Sequence, residues 1–431
     1  MQPKMRFLYM IVFFLAGIIY LGFLSGKNTH SRLYWEYAGR IDHRAITANF
    51  PEWVQHRKVT LQPLETATPA KRPLAPYTDF SSEYPPGALL LFAAVRLGFD
   101  GLREFSIAYS RIVATCISLA ALLSIWLADR KFKRPYGPAS IALVFTIWLG
   151  LVGPFVVIRF DSVVVLFVSA ALIARHFRRH WMVGLLLGIG ASIKIWPALL
   201  CPIFALDIFR EPSRDAATWR RFFELSIGAL VGFASPHVVL LAIGTSPTDL
   251  FDYFGYYAGR PPQIESLLGN LLVFGQILGI FDVSTPFDFG SQNVVAAGWQ
   301  TLSIAFTIGF FIAYAWALAY LHRAENSTST GIFAAGFIVT VLILASKVFS
   351  GEYLIWILPF ALYAVGAKRW DIIAAYGAAL IFLKFQYWNF DSLLAMQPKG
   401  ILLLTLKNVA CAFIAILFAI SMTRGRRSQT I

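Results

Sequence analysis

The chain has 431 residues, 58% of them hydrophobic and 16% aromatic, with only 14% charged and a formal net charge of +14. Soluble domains carry about 25% charged residues, so the composition excludes an ordinary water-soluble enzyme and points to a polytopic membrane protein. Cys116, Cys201 and Cys411 lie in separate apolar stretches without metal-ligand spacing, which speaks against a disulfide framework and against a zinc site.

In chain order, Met1 to Arg6 followed by Phe7 to Leu24 resembles a signal peptide, but the run is long and no small-residue cleavage site follows it, so it reads as a retained first helix. A first outer loop follows over 25–105. In it Leu33-Tyr34-Trp35-Glu36-Tyr37 starts a short amphipathic helix, Glu52 to Arg72 is a polar insertion, and Pro86 to Leu97 is a second interfacial helix with prolines suited to its first turn. Apolar runs near 106–128, 137–157, 162–174, 181–193, 195–209, 222–243, 297–320, 331–349, 353–367, 371–387 and 400–423 then bring the count to about twelve crossings. Runs of about 18 or more apolar residues are long enough to cross a hydrocarbon core of about 30 Å as helices, and several of the others are short for ordinary crossings. The spans Trp181 to Ile193 and Ile195 to Phe209 make a hairpin broken at Lys194-Ile195-Trp196-Pro197, and helices broken at membrane depth line cavities. A second outer segment, 245–296, contains an apolar piece, Leu267 to Phe281, read as re-entrant or interfacial. The whole of 1–431 is thus expected to be one all-α integral membrane domain.

The positive charge sets orientation and does not imply nucleic acid. Asp129 to Arg134, Arg175 to His180, Arg210 to Arg221, Lys368-Arg369 and Arg424 to Arg427 concentrate Lys and Arg in short connections, which marks the cytoplasmic side. Both termini then face the cytoplasm and both large segments face outward. The Asn326-Ser327-Thr328 sequon falls in an inner loop, where it is not glycosylated.

The notable polar clusters all fall on the outer side. Asp79 and Glu83, in the wet stretch Pro76 to Pro86, are acid or base candidates; Arg159 and Asp161 flank a helix end; Lys194 sits at the break. Arg260, Gln263 and Glu265 follow, then Lys347, Glu352 and Tyr353. Arg159 with Asp161, and Lys347 with Glu352, are equally well read as ion pairs tying helix ends. A lysine between apolar half-spans costs about 2.5 to 3.5 kcal/mol on insertion scales, which makes Lys194 a functional candidate against the blander reading of a side chain snorkelling to the interface. Trp356 and Trp370 read as interface anchors.

Five motifs in order carry a family resemblance: Pro-Tyr-x-Asp-Phe-x-x-Glu-Tyr-Pro-Pro at Pro76 to Pro86, Arg-Phe-Asp at Arg159 to Asp161, Lys-x-x-Pro at Lys194 to Pro197, Arg-x-x-Gln-x-Glu-Ser at Arg260 to Ser266, and Ser-Lys-Val-Phe-Ser-x-x-Tyr-Leu-x-Trp at Ser346 to Trp356. Together they resemble the polyprenol-phosphate-mannose-dependent alpha-mannosyltransferases of glycosyltransferase family 87. The resemblance implies a GT-C fold, a multi-helix membrane bundle whose first outer loop bears a catalytic carboxylate and whose lipid-linked donor comes from the bilayer. The chain departs from the family at one position: where members carry an aspartate about four residues before the tyrosine that is here Tyr34, this sequence has His30. The base is then one of Asp79, Glu83, Glu36 and His30. Asp79 is preferred, as the residue reaching over the cavity, with Glu83 fixing its loop through backbone hydrogen bonds.

The implied reaction moves a hexose, mannose by the resemblance, from a polyprenyl-phosphate donor to a glycolipid or glycan acceptor on the outer face of the cell membrane, with inversion. Lys194, Arg159 and Arg260 are the expected partners of the donor phosphate. Tyr84, Asp161, Gln263, Glu265, Lys347, Glu352 and Tyr353 are the expected substrate contacts. Besides donor, acceptor and membrane lipid, no cofactor, metal or nucleic acid is expected. The alternative is a transporter or flippase for a lipid-linked or anionic substrate, because broken helices and buried cations serve those proteins too.

Overall fold

The computed structural model describes residues 30–42, 74–99, 101–132, 137–153, 155–210, 215–324 and 328–424. The expected first span at 7–24, the insertion at 52–72 and the terminal pair Arg426-Arg427 lie outside them.

Among the described residues, two short helices come first, α1 (His30–Asp42) and α2 (Pro86–Gly98), the latter opened by Pro85 as cap and Pro86 at its first position. They are followed by α3 (Leu102–Phe132), α4 (Gly137–Val152), α5 (Asp161–His176), α6 (His180–Ile193), α7 (Cys201–Phe209) and α8 (Ala216–Ala242). The segment 245–296 holds α9 (Asp252–Gly259), α10 (Leu267–Ile277) and a ribbon of short strands. The chain ends in α11 (Trp299–Arg323), α12 (Thr328–Ala345), α13 (Leu358–Gly366), α14 (Trp370–Trp388) and α15 (Pro398–Arg424).

Among the described residues, α3, α8, α11 and α15 are long and apolar enough to cross a membrane, and several shorter apolar helices accompany them. Helix formation satisfies the backbone internally, which hydrocarbon demands. Helices α8 and α11 turn Phe223, Ile227, Leu230, Val238, Ile304, Ile308, Phe311 and Ile312 outward, all more than half exposed. Apolar surface of this extent is unfavourable in water and suits lipid.

The closest helix packing is between α6 and α8. Gly184 and Gly188 on one helix face Gly228 and Gly232 on the other, and a β-carbon at any of the four would collide with a carbonyl oxygen of the opposite helix. Four-residue spacing puts each glycine pair on one face, the arrangement by which small residues let membrane helices approach to backbone contact. This contact anchors α6, whose carboxyl end delivers Lys194 in extended conformation, φ −154° and ψ 123°.

The expected hairpin at Lys194 takes another form. After Lys194 the chain enters a 3-10 segment, Trp196–Leu200, and continues directly into α7. Pro197 and Pro202 explain the change, since proline lacks the N–H of an α-helix interior and is tolerated in a first turn. The same construction recurs at a second 3-10 segment, Gly351–Ile357, which runs into α13 with Pro359 in its first turn.

The all-α expectation also needs one amendment. Strand β1 (Val283–Ser284) pairs antiparallel with β4 (Val295–Ala296), and β2 (Phe287–Asp288) with β3 (Ser291–Gln292). The inner turn, Phe289-Gly290, has φ of 52° and 70°, the left-handed pair that a two-residue hairpin with matching twist requires.

Candidate active site

A cavity of about 330 Å³ lies where the loop before α2, both 3-10 segments, α9 and the ribbon meet. Its wall carries Glu83, Tyr84, Arg159, Asp161, Lys194, Arg260, Gln263, Glu352 and Tyr353. The structure thus gathers residues from all five motifs around one space.

Helices α1 and α2 and the loop before α2 reach this wall through an aromatic cluster. Tyr34 of α1 is fully buried, stacks on Phe92 of α2 at 4.2 Å and meets Tyr84 edge-on at 5.6 Å. Arg96 of α2 lies 4.0 Å over the Trp35 ring, locking the two helices together. Tyr77, at φ 68°, donates its hydroxyl to the Tyr84 carbonyl at 2.5 Å. That turn separates the two carboxylates expected to compete as base. Asp79 is exposed and accepts the Ala75 N–H at 2.7 Å, in a turn joined to the segment 245–296 by Thr78 bonding Asp249 at 2.8 Å and Thr245 bonding the Pro76 carbonyl at 3.1 Å. Glu83 is 8% exposed and faces the cavity. The expectation is therefore reversed in placement: Asp79 is the loop support and Glu83 is the carboxylate on the wall. Burial pushes the hydroxyl of the adjacent Tyr84 well above its ordinary value, so it stays protonated. His30 opens α1, but its side chain lies outside the described residues; Glu36 is buried and is not on the wall.

The ion pairs cross the motifs. Arg159 pairs with Glu352 at 3.4 Å instead of with Asp161. Lys194 pairs with Asp161 at 2.7 Å, and the Trp356 indole N–H donates to the same Asp161 oxygen at 2.6 Å. The Lys194 ammonium also lies 4.2 Å from the centroid of Tyr353, 4.9 Å from Trp356 and 5.5 Å from Phe160, distances that give cation–π attraction. The other Asp161 oxygen, Oδ2, is buried with no hydrogen-bond partner among the described residues. An orphaned acceptor on a cavity wall is suited to a ligand hydroxyl.

Arg260 differs from the other two cations, because no carboxylate pairs with it among the described residues. It donates to Ser291 Oγ at 2.6 Å, lies 5.9 Å over the Tyr256 ring, and keeps a buried Nε without a partner. Ser291 is fixed by Asn293 at 2.9 Å, and the Phe289 carbonyl accepts the Tyr256 hydroxyl at 2.8 Å, so the ribbon tip forms the cavity's rim. Lys347, an expected substrate contact, stands behind the wall in the loop after α12, donating to the Ala258 carbonyl at 3.1 Å. Burial, and the repulsion of Arg260, hold its ammonium below the ordinary lysine value. Arg260 and Lys347 thus put two cations at this corner, and neither is paired with a carboxylate among the described residues. Glu265 also sits behind the wall, 4% exposed, hydrogen-bonded to Gln263, Gln386 and Tyr387.

Five residues on the wall carry no site role in the sequence reading. Trp356, read as an interface anchor, is 4% exposed and braces Asp161, whereas Trp370 at 59% exposure fits the anchor reading. Phe289 and Ser291 come from a ribbon too short for strand periodicity to show. Tyr256 and Tyr257 reach the wall from the one-sided helix α9.

Residues 83–346, more than half of the chain, match the sequence profile of glycosyltransferase family 87. The chain belongs to glycosyltransferase family 87. It is therefore a membrane glycosyltransferase of the GT-C superfamily, and the transporter alternative falls away. No curated protein matched the chain. The matched stretch begins at Glu83 and contains Arg159, Asp161, Lys194 and Arg260, while Glu352, Tyr353 and Trp356 complete the same wall from beyond it.

Proposed function

We propose that this family member transfers a hexose, mannose by family resemblance, from a polyprenyl-phosphate donor to a glycolipid or glycan acceptor at the outer face of the membrane. The observation that carries the reading is Arg260, a buried guanidinium without a carboxylate partner among the described residues, on one wall of a cavity that also holds Glu83. An uncompensated cation at a positive corner is suited to a phosphate, and guanidinium matches phosphate geometry with two parallel N–H donors.

In this reaction the acceptor hydroxyl oxygen attacks the anomeric carbon of the donor. The bond from that carbon to the phosphate oxygen breaks, and its electron pair leaves with the polyprenyl phosphate. The hydroxyl proton passes to the Glu83 carboxylate, and direct displacement inverts the anomeric centre. Arg260 stabilises the charge growing on the departing phosphate, the kind of preorganised electrostatic contribution that is often the largest in a barrier. Asp161 Oδ2 accepts a hydroxyl of the sugar. Lys194, balanced by Asp161, orients that carboxylate instead of holding the phosphate. Charge bias in the short connections supports about twelve crossings, cytoplasmic termini and an outward site. That orientation favours a lipid-borne donor over a cytoplasmic nucleotide sugar.

A donor competition tests the reading. Protein reconstituted in liposomes should use a polyprenyl-phosphate hexose and remain indifferent to nucleotide-linked hexose added at the same concentration. Use of the nucleotide sugar in preference to the lipid donor would contradict it.

A further inference from the structure

Lys407 in α15 is a fully buried cation that the reading above does not use. Its ammonium donates to the main-chain oxygen of Glu265 at 3.0 Å and lies 3.9 Å from the centroid of the Phe349 ring. The Glu265 carboxylate is held on both oxygens. Oε1 accepts from the Tyr387 hydroxyl at 2.7 Å and from Gln386 at 3.0 Å, and Oε2 accepts from Gln263 at 2.9 Å. A cation and an anion inside a helix bundle carry a desolvation cost that apolar residues of similar volume avoid, so packing alone does not account for them.

What these two side chains hold, each through its own contacts, is the segment from Arg260 to Ser266. The Gln263 N–H donates to the Lys347 carbonyl at 2.8 Å, the Ile264 N–H to the Gln292 carbonyl at 3.0 Å, and the Val294 N–H to the Pro262 carbonyl at 2.7 Å. This segment therefore fastens the ribbon that carries Ser291, the loop after α12 and the last helix to one another. Arg260 opens it, and the only group steering the Arg260 side chain by a hydrogen bond among the described residues is Ser291 on that ribbon.

We propose that Lys407 and Glu265 are positioning residues: the lysine's bond to the Glu265 main-chain oxygen and the hydrogen bonds to the Glu265 carboxylate fix the Arg260–Ser266 segment and so set where the Arg260 guanidinium meets the donor phosphate. The inference rests on the reading of Arg260 given above. It assigns a role in the site to helices α14 and α15, both beyond the stretch that matches the family profile.

The test uses full-length protein in lipid nanodiscs and three variants. Lys407→Met removes the charge and keeps the stem, Lys407→Arg keeps the charge, and Tyr387→Phe removes one hydrogen bond to Glu265. KM and kcat for a polyprenyl-phosphate hexose are measured with amide hydrogen exchange over 260–266. Lys407→Met and Tyr387→Phe should raise KM more than they lower kcat, by up to about a hundredfold for a displaced binding group. Lys407→Arg should recover part of the loss. Exchange over 260–266 should quicken while exchange in α6 and α8 stays as in the parent, and Lys407→Met should add nothing to KM in an Arg260→Gln background. Wild-type KM and exchange in a variant that merely melts earlier would overturn the proposal, as would additive effects in the Arg260→Gln background. Should Lys407→Met fail to fold, Tyr387→Phe decides by the same readouts. If the parent protein takes no polyprenyl-phosphate donor, the functional reading fails separately, and unchanged exchange over 260–266 in the variants would by itself sink the clamp.

Discussion

Trp196 and Trp356 stack with ring centroids 5.2 Å apart and planes 17° from parallel. Each belongs to a 3-10 segment that interrupts an apolar span, so the stack joins the two breaks ring to ring. One break brings Lys194 to the cavity and the other brings Glu352, and both charged groups find partners on the Arg159–Asp161 motif between them. The cavity wall is in this sense a single cross-linked unit, and removing one charge from it has a cost beyond the lost contact.

Lys194→Met shows that cost. It leaves Asp161, 1% exposed, charged and without its cation. Breaking a buried pair on one side typically costs about 3–5 kcal/mol, so the variant should unfold well below the parent temperature in detergent. Lys194→Met combined with Asp161→Asn should regain much of the loss, because the neutral amide oxygen would still accept the Trp356 indole N–H. A single variant as stable as the parent would mean that the pair carries little.

The carboxylates Asp79 and Glu83 separate by kinetics. Glu83→Gln should lower kcat by roughly a hundredfold to ten-thousandfold, the range for losing a general base, with donor binding intact. Asp79→Asn keeps an oxygen for the Ala75 N–H and should leave kcat near the parent value. The opposite ranking would return the base to Asp79, and a dead His30→Ala with active Glu83→Gln would move it to α1.

Arg260→Gln should weaken binding of a polyprenyl phosphate lacking any sugar, since the phosphate is the shared group. Losing a charge-assisted hydrogen bond costs about 1.5–3 kcal/mol, or roughly ten- to more than a hundredfold in Kd. Isothermal titration or a thermal-shift series in detergent measures it. Equal affinity in parent and variant would remove Arg260 from the phosphate.

Much of the frame was legible because the bilayer is a demanding solvent. Apolar runs, the charge bias of short connections and a lysine stranded at 194 between two of them all report on that solvent directly. The identity of the partners was not legible. Arg159 finds Glu352 and Lys194 finds Asp161 only after the helices pack, and nothing local distinguishes that crossing from a pair within Arg159-Phe160-Asp161. Asp79 and Glu83 stand four positions apart, and which one faces the cavity depends on a turn at Tyr77 with φ 68°, unusual for a bulky residue. Trp356 resembled an interface anchor because aromatic residues near span ends usually are; the 3-10 segment buries it instead. Lys407 was readable by the rule applied to Lys194, a cation inside the apolar run 400–423, and so were the paired glycines of α6 and α8.

Orientation is open to labelling in a cysteine-free background, with Cys116, Cys201 and Cys411 replaced. A cysteine at exposed Ser284 in the ribbon should react with an impermeant thiol reagent added to intact cells, and one at exposed Arg179 between α5 and α6 should react only after permeabilisation. The reverse pattern would put the cavity on the cytoplasmic side.

The central claim is that the cavity between Glu83 and Arg260 displaces polyprenyl phosphate from an anomeric carbon. The most direct measurement incubates reconstituted protein with polyprenyl-phosphate-mannose labelled in the sugar and a membrane glycolipid extract, then follows the label and the configuration of the new linkage. The account predicts labelled product with the anomeric configuration opposite to the donor's, and one polyprenyl phosphate released for each sugar transferred. A product that retains the donor's configuration, or a label that stays on the polyprenyl phosphate throughout, would contradict it.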